Sequence, residues 1–381
     1  MFERRSNIMN TNNILKKIAT ICLIIISGFS ILAKEKNISI KQIPKFELKD
    51  TKNIIFSNKD LNGRLGTLII FLSNHCKISQ SFQKPLNIIN IQWEQKGIKL
   101  LAISPNYENA ILPDELAYSD SGDTFKEMQS RAVRERFNFP YIYDGEKQII
   151  TQSLNVKITP SAYLFNSDGI LVYSGRIGNH EKPNDLGNSE LNQNIEELIC
   201  GREVNYNRIR MYGTSVKFKK DMLIAENVKK RYASESVQLN HADQRKLKFF
   251  LNQTTNYPKF FYVWSLHENS EQNRNNLITI SSNFKIFRKR GLKVYTVCVC
   301  KEEEKPDALE ILKRAQLSAL NFYIYGNEIS EISKLRAAGG FKITPFCRLL
   351  NGDNTFDYGV NGLIDYKKLR ISFLNALNKN I

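Results

Sequence analysis

Histidine is scarce in this sequence, and the cysteines lack the spacing of a metal site. The chain of 381 residues contains four histidines and six cysteines. No pair of cysteines has the spacing of a metal site, and so few histidines also argue against a metal centre. We therefore expect no metal and no cofactor. The chain is long enough to bury a proper hydrophobic core, so it does not need a disulfide framework.

A dense run of basic residues interleaved with aromatic residues is also missing. The net charge of +17 at pH 7 favours acidic partners such as nucleic acid, anionic lipid or an acidic protein. The lysines are scattered along the chain, however. The densest run, KIFRKRGLK at 285–293, is typical of the solvated end of a helix. We expect no nucleic-acid binding and rank binding to an anionic surface last.

A short apolar segment stands near the N-terminus. Lys16 and Lys17 precede IATICLIIISGFSILA, which ends at Ala33. Basic residues followed by a short apolar core are typical of a secretory signal. Sixteen residues are few for a membrane span, so we predict a cleaved signal over 1–33, with a retained N-terminal anchor as the alternative. In either case the body of the protein is exported, to the periplasm or another extracytoplasmic space, and membrane contact is limited to that anchor.

The next 150 residues have the pattern of an α/β domain. GTLIIFLS at 66–73 and IKLLAISP at 98–105 are apolar runs typical of buried strands, and 77–97 has helical spacing. Strand, helix and strand in this order predict a parallel pair. DTFKEMQSRAVRERF at 123–137 predicts an amphipathic helix with an acidic start, and SAYLFNSDGILVYSGR predicts a hairpin.

The second half of the chain resembles the first. FKITPFCRLLNGDNTFDYGVNG at 341–362 is similar to VKITPSAYLFNSDGILVYSGRIGN at 156–179. This similarity places Pro345 opposite Pro160. Upstream, FFYVWSLHENSEQ at 260–272 matches the run into Cys76 and places Glu268 opposite it, so the second copy lacks the thiol. We interpret it as a domain duplication. The predicted division is 1–33 signal or anchor, 34–200 first domain, 201–254 linker with a helix, and 255–381 second domain.

Cys76 is the main candidate for chemistry. It follows a buried strand at the start of a helix, where backbone N–H groups and the helix dipole stabilise a thiolate. His75 adds a hydrogen-bonding neighbour, and Ser79 lies one helical turn away. Thr159 and Pro160 precede a strand, and a cis peptide bond there could bring the backbone beside the thiol. The alternative for Cys76 is an inert buried cysteine.

These motifs resemble the thioredoxin-like superfamily, and more narrowly its redoxin branch of alkyl hydroperoxide reductase and thiol-specific antioxidant proteins. The matching segments are FLSNHCKIS at 71–79, FPYIYD at 139–144 and ITP followed by LFNSDG. The resemblance implies two thioredoxin-like domains, each a central mixed β-sheet flanked by helices. It places Cys76 at the attacking-cysteine position and Pro160 at the cis-proline position.

The sequence also departs from that branch. Ser79 stands where thioredoxin-type reductases have a second cysteine, and Thr214 stands where many relatives have a later one. Cys200 either resolves Cys76 or is a small buried residue at a helix end. Peroxiredoxins proper have an arginine about where Thr159 and Pro160 stand, which argues against efficient peroxide reduction.

Two functions follow from these observations. The first is an exported thiol–disulfide oxidoreductase or antioxidant redoxin in cell redox homeostasis, in which Cys76 is the nucleophile and His75, Ser79, Thr159 and Pro160 complete the catalytic site. Its partners would be thiol or disulfide proteins or peroxide, together with an external thiol reductant. The alternative is a non-catalytic thioredoxin-fold binding or scaffold protein.

Overall fold

The computed structural model describes residues 42–61, 64–202, 204, 207–267, 270–325 and 345–379. The predicted signal at 1–33 and Glu268 lie outside these described residues. Within these ranges, every helix is too short or too polar to span a bilayer.

The first half of the chain is built on a mixed sheet. In chain order its strands are β1 (Glu47–Lys49), β2 (Ile55–Ser57), β3 (Gly66–Phe71), β4 (Ile98–Ser104), β5 (Tyr141–Tyr143), β6 (Ile158–Thr159), β7 (Ser161–Asn166), β8 (Leu171–Gly175), β9 (Asn207–Arg208) and β10 (Thr214–Ser215). Six of these described strands form one sheet in the order β5-β4-β3-β7-β8-β9. β3 pairs in parallel with β4, as the strand–helix–strand pattern predicts, and antiparallel with β7.

Helices and loops cover both faces of this sheet. The helices are α1 (Lys77–Gln95), α2 (Phe125–Arg134), α3 (Ile149–Ser153) and α4 (Glu190–Ile199). On α1, Phe82, Leu86, Ile89 and Trp93 recur at helical spacing and are buried in one apolar cluster with β3. A second cluster covers the opposite face. Because every residue of β3 is buried, the residues that follow its carboxyl end are held in a fixed place.

The segment predicted as a linker, 201–254, contributes strands to both halves. Its first part contains two strands. β9 joins the first sheet beside β8, and β10 pairs with β6. Helix α5 (Met222–Ala233) follows and packs against the turn Glu108–Ala110. Strand β11 (Asn240–His241) then joins the second sheet. These strands are two residues long and have no hydrophobic period, so the sequence pattern does not reveal them.

The second half repeats the strand order of the first. Its further strands are β12 (Lys259–Ser265), β13 (Lys293–Val299), β14 (Leu320–Ile324), β15 (Phe346–Leu350) and β16 (Phe356–Asn361), and its helices are α6 (Gln244–Asn252), α7 (Ser270–Phe287), α8 (Lys305–Arg314) and α9 (Tyr366–Lys379). The order β14-β13-β12-β15-β16 corresponds to β5-β4-β3-β7-β8. β12 pairs in parallel with β13 and antiparallel with β15, just as β3 pairs with β4 and β7. The predicted α/β class, two domains with central mixed sheets flanked by helices, is confirmed.

Candidate active site

Cys76 forms the N-terminal cap of α1. Its sulfur accepts a hydrogen bond from the Ser79 N–H at 3.4 Å and donates one to the Thr159 carbonyl at 3.2 Å. Cys76 is only 1% exposed. The thiol therefore lies buried between the start of α1 and the junction of β6 with β7.

The predicted residues Ser79, Thr159 and Pro160 lie around this thiol. The Ser79 hydroxyl accepts from the backbone N–H of Ser73 at 3.3 Å, and the Ser73 and Thr159 hydroxyls are 3.0 Å apart. The peptide bond between Thr159 and Pro160 is cis. The structure thus brings Cys76 and Ser79 together with Thr159 and Pro160, although Cys76 and Thr159 are 83 residues apart in sequence.

Strand β10 contacts the same junction from outside. Thr214 pairs with Thr159 in the ladder, and the two hydroxyls are 3.2 Å apart. Thr214 therefore places a hydroxyl next to Thr159, and Ser79 places one on the first turn of α1. Ser79 and Thr214, the two positions at which the resemblance to the redoxin branch leads one to expect a second thiol, are both hydroxyl residues in this chain.

Gly213 allows β10 to approach Thr159, and this gives a testable prediction. Its φ is +153°, and a Cβ there would lie 1.9 Å from the Thr159 carbonyl oxygen. Gly213→Ala is therefore expected to push β10 away from β6 and to lower the free energy of unfolding by about 2 kcal/mol. Urea unfolding measures this change. The control is Gly201→Ala, which has φ of +65° but open space, and an equal loss in both variants would contradict the prediction.

His75 does not stand alone beside the thiol, because its ring is paired with Asp123. Nδ1 of His75 lies 2.9 Å from Oδ2 of Asp123, and both side chains are fully buried. Burial of the ring disfavours its charged form, but the charge and hydrogen bond of Asp123 outweigh this and raise the pKa of His75. Burial likewise opposes ionisation of Asp123, yet its hydrogen-bond donors lower the pKa of that carboxyl. The pair therefore favours imidazolium and carboxylate together.

Asp123 also organises the backbone just before Cys76. Its carboxylate accepts from the N–H of Asn74 at 2.6 Å, from the N–H of His75 at 3.3 Å and from Nδ2 of Asn106 at 2.6 Å. The sequence pattern assigned Asp123 to the start of a helix. The helix in fact begins at Phe125 with Thr124 as its cap, which leaves the Asp123 side chain directed at His75. Sequence reasoning missed both Asp123 and Asn106.

The other cysteines lie away from this site. Cys298, Cys300 and Cys347 are buried in the second domain, whereas Cys200 is exposed at the end of α4. Leu198 on α4 lies beside Gly66, the first residue of β3. Cys76 follows the other end of that strand, which rises about 3.3 Å per residue. The structure therefore does not bring Cys200 to Cys76. Among the described residues, no group of three His, Cys, Asp or Glu side chains could hold a metal.

A thiol at the start of the helix that follows the central strand, next to a Thr–cis-Pro junction, defines a thioredoxin-like thiol site. Residues 40–174 match the model of the AhpC/TSA family, so this part of the chain is similar to that family. The resemblance to the redoxin branch is confirmed for the first domain.

Three solved structures each resemble less than half of the chain. A hypothetical protein from Sinorhizobium meliloti is 19% identical over 47% of this chain and 94% of its own, with a TM-score of 0.41. An uncharacterised conserved protein from Geobacillus kaustophilus is 25% identical over 47% and 92%, with a TM-score of 0.40. Peroxidoxin BcpB from Mycobacterium tuberculosis is 11% identical over 43% and 97%, with a TM-score of 0.32. With TM-scores this low, we draw no argument from them. No curated protein matches the sequence.

Proposed function

We propose that this protein is an exported thiol–disulfide oxidoreductase with a single nucleophilic cysteine, Cys76, which an external thiol resolves. The observation that carries the proposal is the position of the Cys76 sulfur, between the Ser79 N–H of α1 and the Thr159 carbonyl. Hydroxyl residues at Ser79 and Thr214 support a mechanism without an internal resolving thiol. The similarity between the two halves supports a domain duplication in which only the first copy kept the thiol.

The chemistry balances with two thiol–disulfide exchanges. The Cys76 thiol first releases to water the proton that it donates to the Thr159 carbonyl. The thiolate attacks one sulfur of a partner disulfide, so a new S–S bond forms to Cys76 and the partner's other sulfur leaves as a thiolate. An external thiolate then attacks the mixed disulfide and returns Cys76 to the thiolate. With peroxide, Cys76 would instead become a sulfenic acid as the O–O bond breaks and water or an alcohol leaves.

A small depression beside Pro160, with room for about one water molecule, marks the surface next to the Thr159–Pro160 junction. It is lined by the apolar side chains of Ile78 and Tyr212 and by the polar groups of Arg176 and His180, together with Pro160 itself. An extended peptide would have to part these side chains to reach Cys76, which is 1% exposed. We favour a disulfide-bearing protein over peroxide, since Thr159 and Pro160 stand where peroxiredoxins proper have an arginine.

The burial of Cys76 favours a second candidate function. A thiol that is 1% exposed meets a disulfide only after a local opening of the site. A thioredoxin-fold protein that binds partners without chemistry would have no need of such an opening.

Peptide mass spectrometry after incubation of the reduced protein with glutathione disulfide or hydrogen peroxide separates these functions. We expect a dithiothreitol-sensitive glutathione adduct on Cys76, retained in Cys200→Ser and absent from Cys76→Ser. Peroxide is expected to give a sulfenic acid on Cys76, trapped by dimedone, at a lower rate. If Cys76 stays unmodified while Cys200 reacts, the oxidoreductase proposal fails and the binding function remains.

A further inference from the structure

One loop connects the thiol site of the first domain to the second domain. Residues 105–124, here called the bridging loop, join β4 to α2 and include the 3₁₀ turn Pro113–Tyr118. Asp123, the partner of His75, lies near the end of this loop. Anything that fixes the bridging loop therefore also fixes the carboxylate that orients His75.

Two arginines of the second domain donate hydrogen bonds to the backbone of the bridging loop. Arg370 on α9 donates from Nη2 to the Leu116 carbonyl and from Nε to the Ser119 carbonyl, both at 3.1 Å. Arg290, at the end of the turn after α7, donates to the Ala117 carbonyl at 2.7 Å. Arg370 is 4% exposed, so this guanidinium is buried against the loop and its bonds have little competition from water.

Side chains of the same turn pack into the second domain. Ala117 is fully buried within the apolar cluster that forms the core of the second domain. The Arg290 guanidinium lies 4.6 Å from the centre of the Tyr118 ring. Lys289 adds an ion pair with Asp114 at 2.8 Å. The tip of the bridging loop is thus part of the second domain's core, although it belongs by sequence to the first.

The other side of the turn contacts the residues next to Cys76. Gln80, on the first turn of α1, donates to the Tyr118 carbonyl at 3.3 Å and to the Asn74 carbonyl at 2.8 Å. The Asn74 side chain in turn donates to the Gly122 carbonyl at 2.8 Å. The carbonyls of residues 116, 117 and 119 therefore bond to the second domain, and that of residue 118 bonds to the helix that Cys76 caps.

We propose that the second domain, by binding the bridging loop through Arg370 and Arg290, holds Asp123 against His75 and so orients the residues next to Cys76. Arg370 and Arg290 are positioning residues, because they contact the loop and not the thiol. The consequence for Cys76 chemistry rests on the function proposed above, whereas the effect on His75 does not.

The charged groups that face His75 are Asp123, Glu115 and Lys217. Glu115 lies on the bridging loop and forms an ion pair with Lys217, on the segment after β10. A displacement of the loop would move both carboxylates away from the ring, and Lys217 opposes the charged ring. Loss of the loop contacts is therefore expected to lower the pKa of His75 towards its ordinary value of 6.5.

The test is the NMR titration of the four histidine rings in the full chain, with His75→Gln used to assign the His75 signal. In Arg370→Gln we expect the pKa of His75 to fall relative to wild type, and the His75 amide, which donates to Asp123, to exchange about tenfold faster. The matched control is Arg314→Gln on α8, whose guanidinium pairs only with exposed Glu310 among the contacts described. In this control neither value should change.

Arg290→Gln provides a second variant, because Arg290 is only partly buried and its loss is less damaging to folding. In Arg290→Gln we expect the pKa of His75 to fall as well. The proposal is wrong if the pKa of His75 and the exchange rate of its amide in Arg290→Gln are the same as in Arg314→Gln. The same comparison applies to Arg370→Gln if that variant folds. A shift at His75 supports it whether or not Cys76 reacts with disulfides, so the two proposals fail separately.

Discussion

Ser79→Cys is expected to make the release of a partner from Cys76 intramolecular. Ser79 lies one helical turn from Cys76, and its N–H is 3.4 Å from the Cys76 sulfur, so a thiol at this position is within reach of a disulfide. An attacking thiol held in place acts at a far higher effective concentration than a dilute one. We expect the mixed disulfide on Cys76 to discharge at least about 100-fold faster at micromolar external thiol.

Stopped-flow release of a chromogenic thiol from the mixed disulfide gives this rate. The matched control is Ser81→Cys, which adds a thiol to the same helix but on a different face. If Ser79→Cys and Ser81→Cys discharge at the same rate, Ser79 does not occupy the position of a resolving thiol.

Asp123→Asn is expected to destabilise the protein strongly, and most of all at mildly acidic pH. The variant leaves a buried imidazole without its carboxylate partner, which costs about 3 kcal/mol in comparable buried pairs. The pKa of His75 is raised in the native state, so the pair's contribution is complete below the unfolded value of 6.5 and is lost as the pH rises through the native value. The pKa of Asp123 is lowered, so the contribution is present above 3.8 and is lost as the pH falls through the native value. The loss of stability in Asp123→Asn is therefore greatest between pH 3.8 and pH 6.5.

Urea unfolding at about pH 5.5 and about pH 8.5 measures this dependence. The difference in unfolding free energy between wild type and Asp123→Asn should be larger at the lower pH. Asp168→Asn, in the exposed hairpin turn, is the control and should show little difference at either pH. A difference that is equal at both pH values would show that His75 and Asp123 do not ionise as a pair.

Local patterns in the sequence predicted the framework of the fold. The apolar runs of β3 and β4, with the helical spacing of α1 between them, predicted the parallel pair that the structure contains. The turn at Ser167-Asp168-Gly169 predicted the hairpin of β7 and β8. Edge strands such as β10 and β11 were not predicted, because two residues carry no period and their place depends on distant partners.

The site residues that were predicted from the sequence are those that lie within a short motif. Cys76 and Ser79 are one helical turn apart, and the motif before β7 placed Thr159 and Pro160 opposite them. Asp123 was not predictable, since it reaches His75 across 48 residues through a polar loop. The same holds for Arg370, which bonds to carbonyls about 250 residues away. Bonds of this kind depend on how two domains pack and leave no periodic signal in the sequence.

The most direct test of the proposed function is the alkylation rate of Cys76 relative to Cys200 within the same folded molecule, measured by peptide mass spectrometry after brief exposure to iodoacetamide. Cys76 is buried and Cys200 is exposed, so accessibility alone predicts that Cys200 reacts first. We predict the reverse, with Cys76 at least about tenfold faster, because its sulfur accepts the Ser79 N–H at the N-terminus of α1, the kind of position at which reactive cysteines are found. A Cys76 that reacts more slowly than Cys200 would contradict its role as a nucleophile.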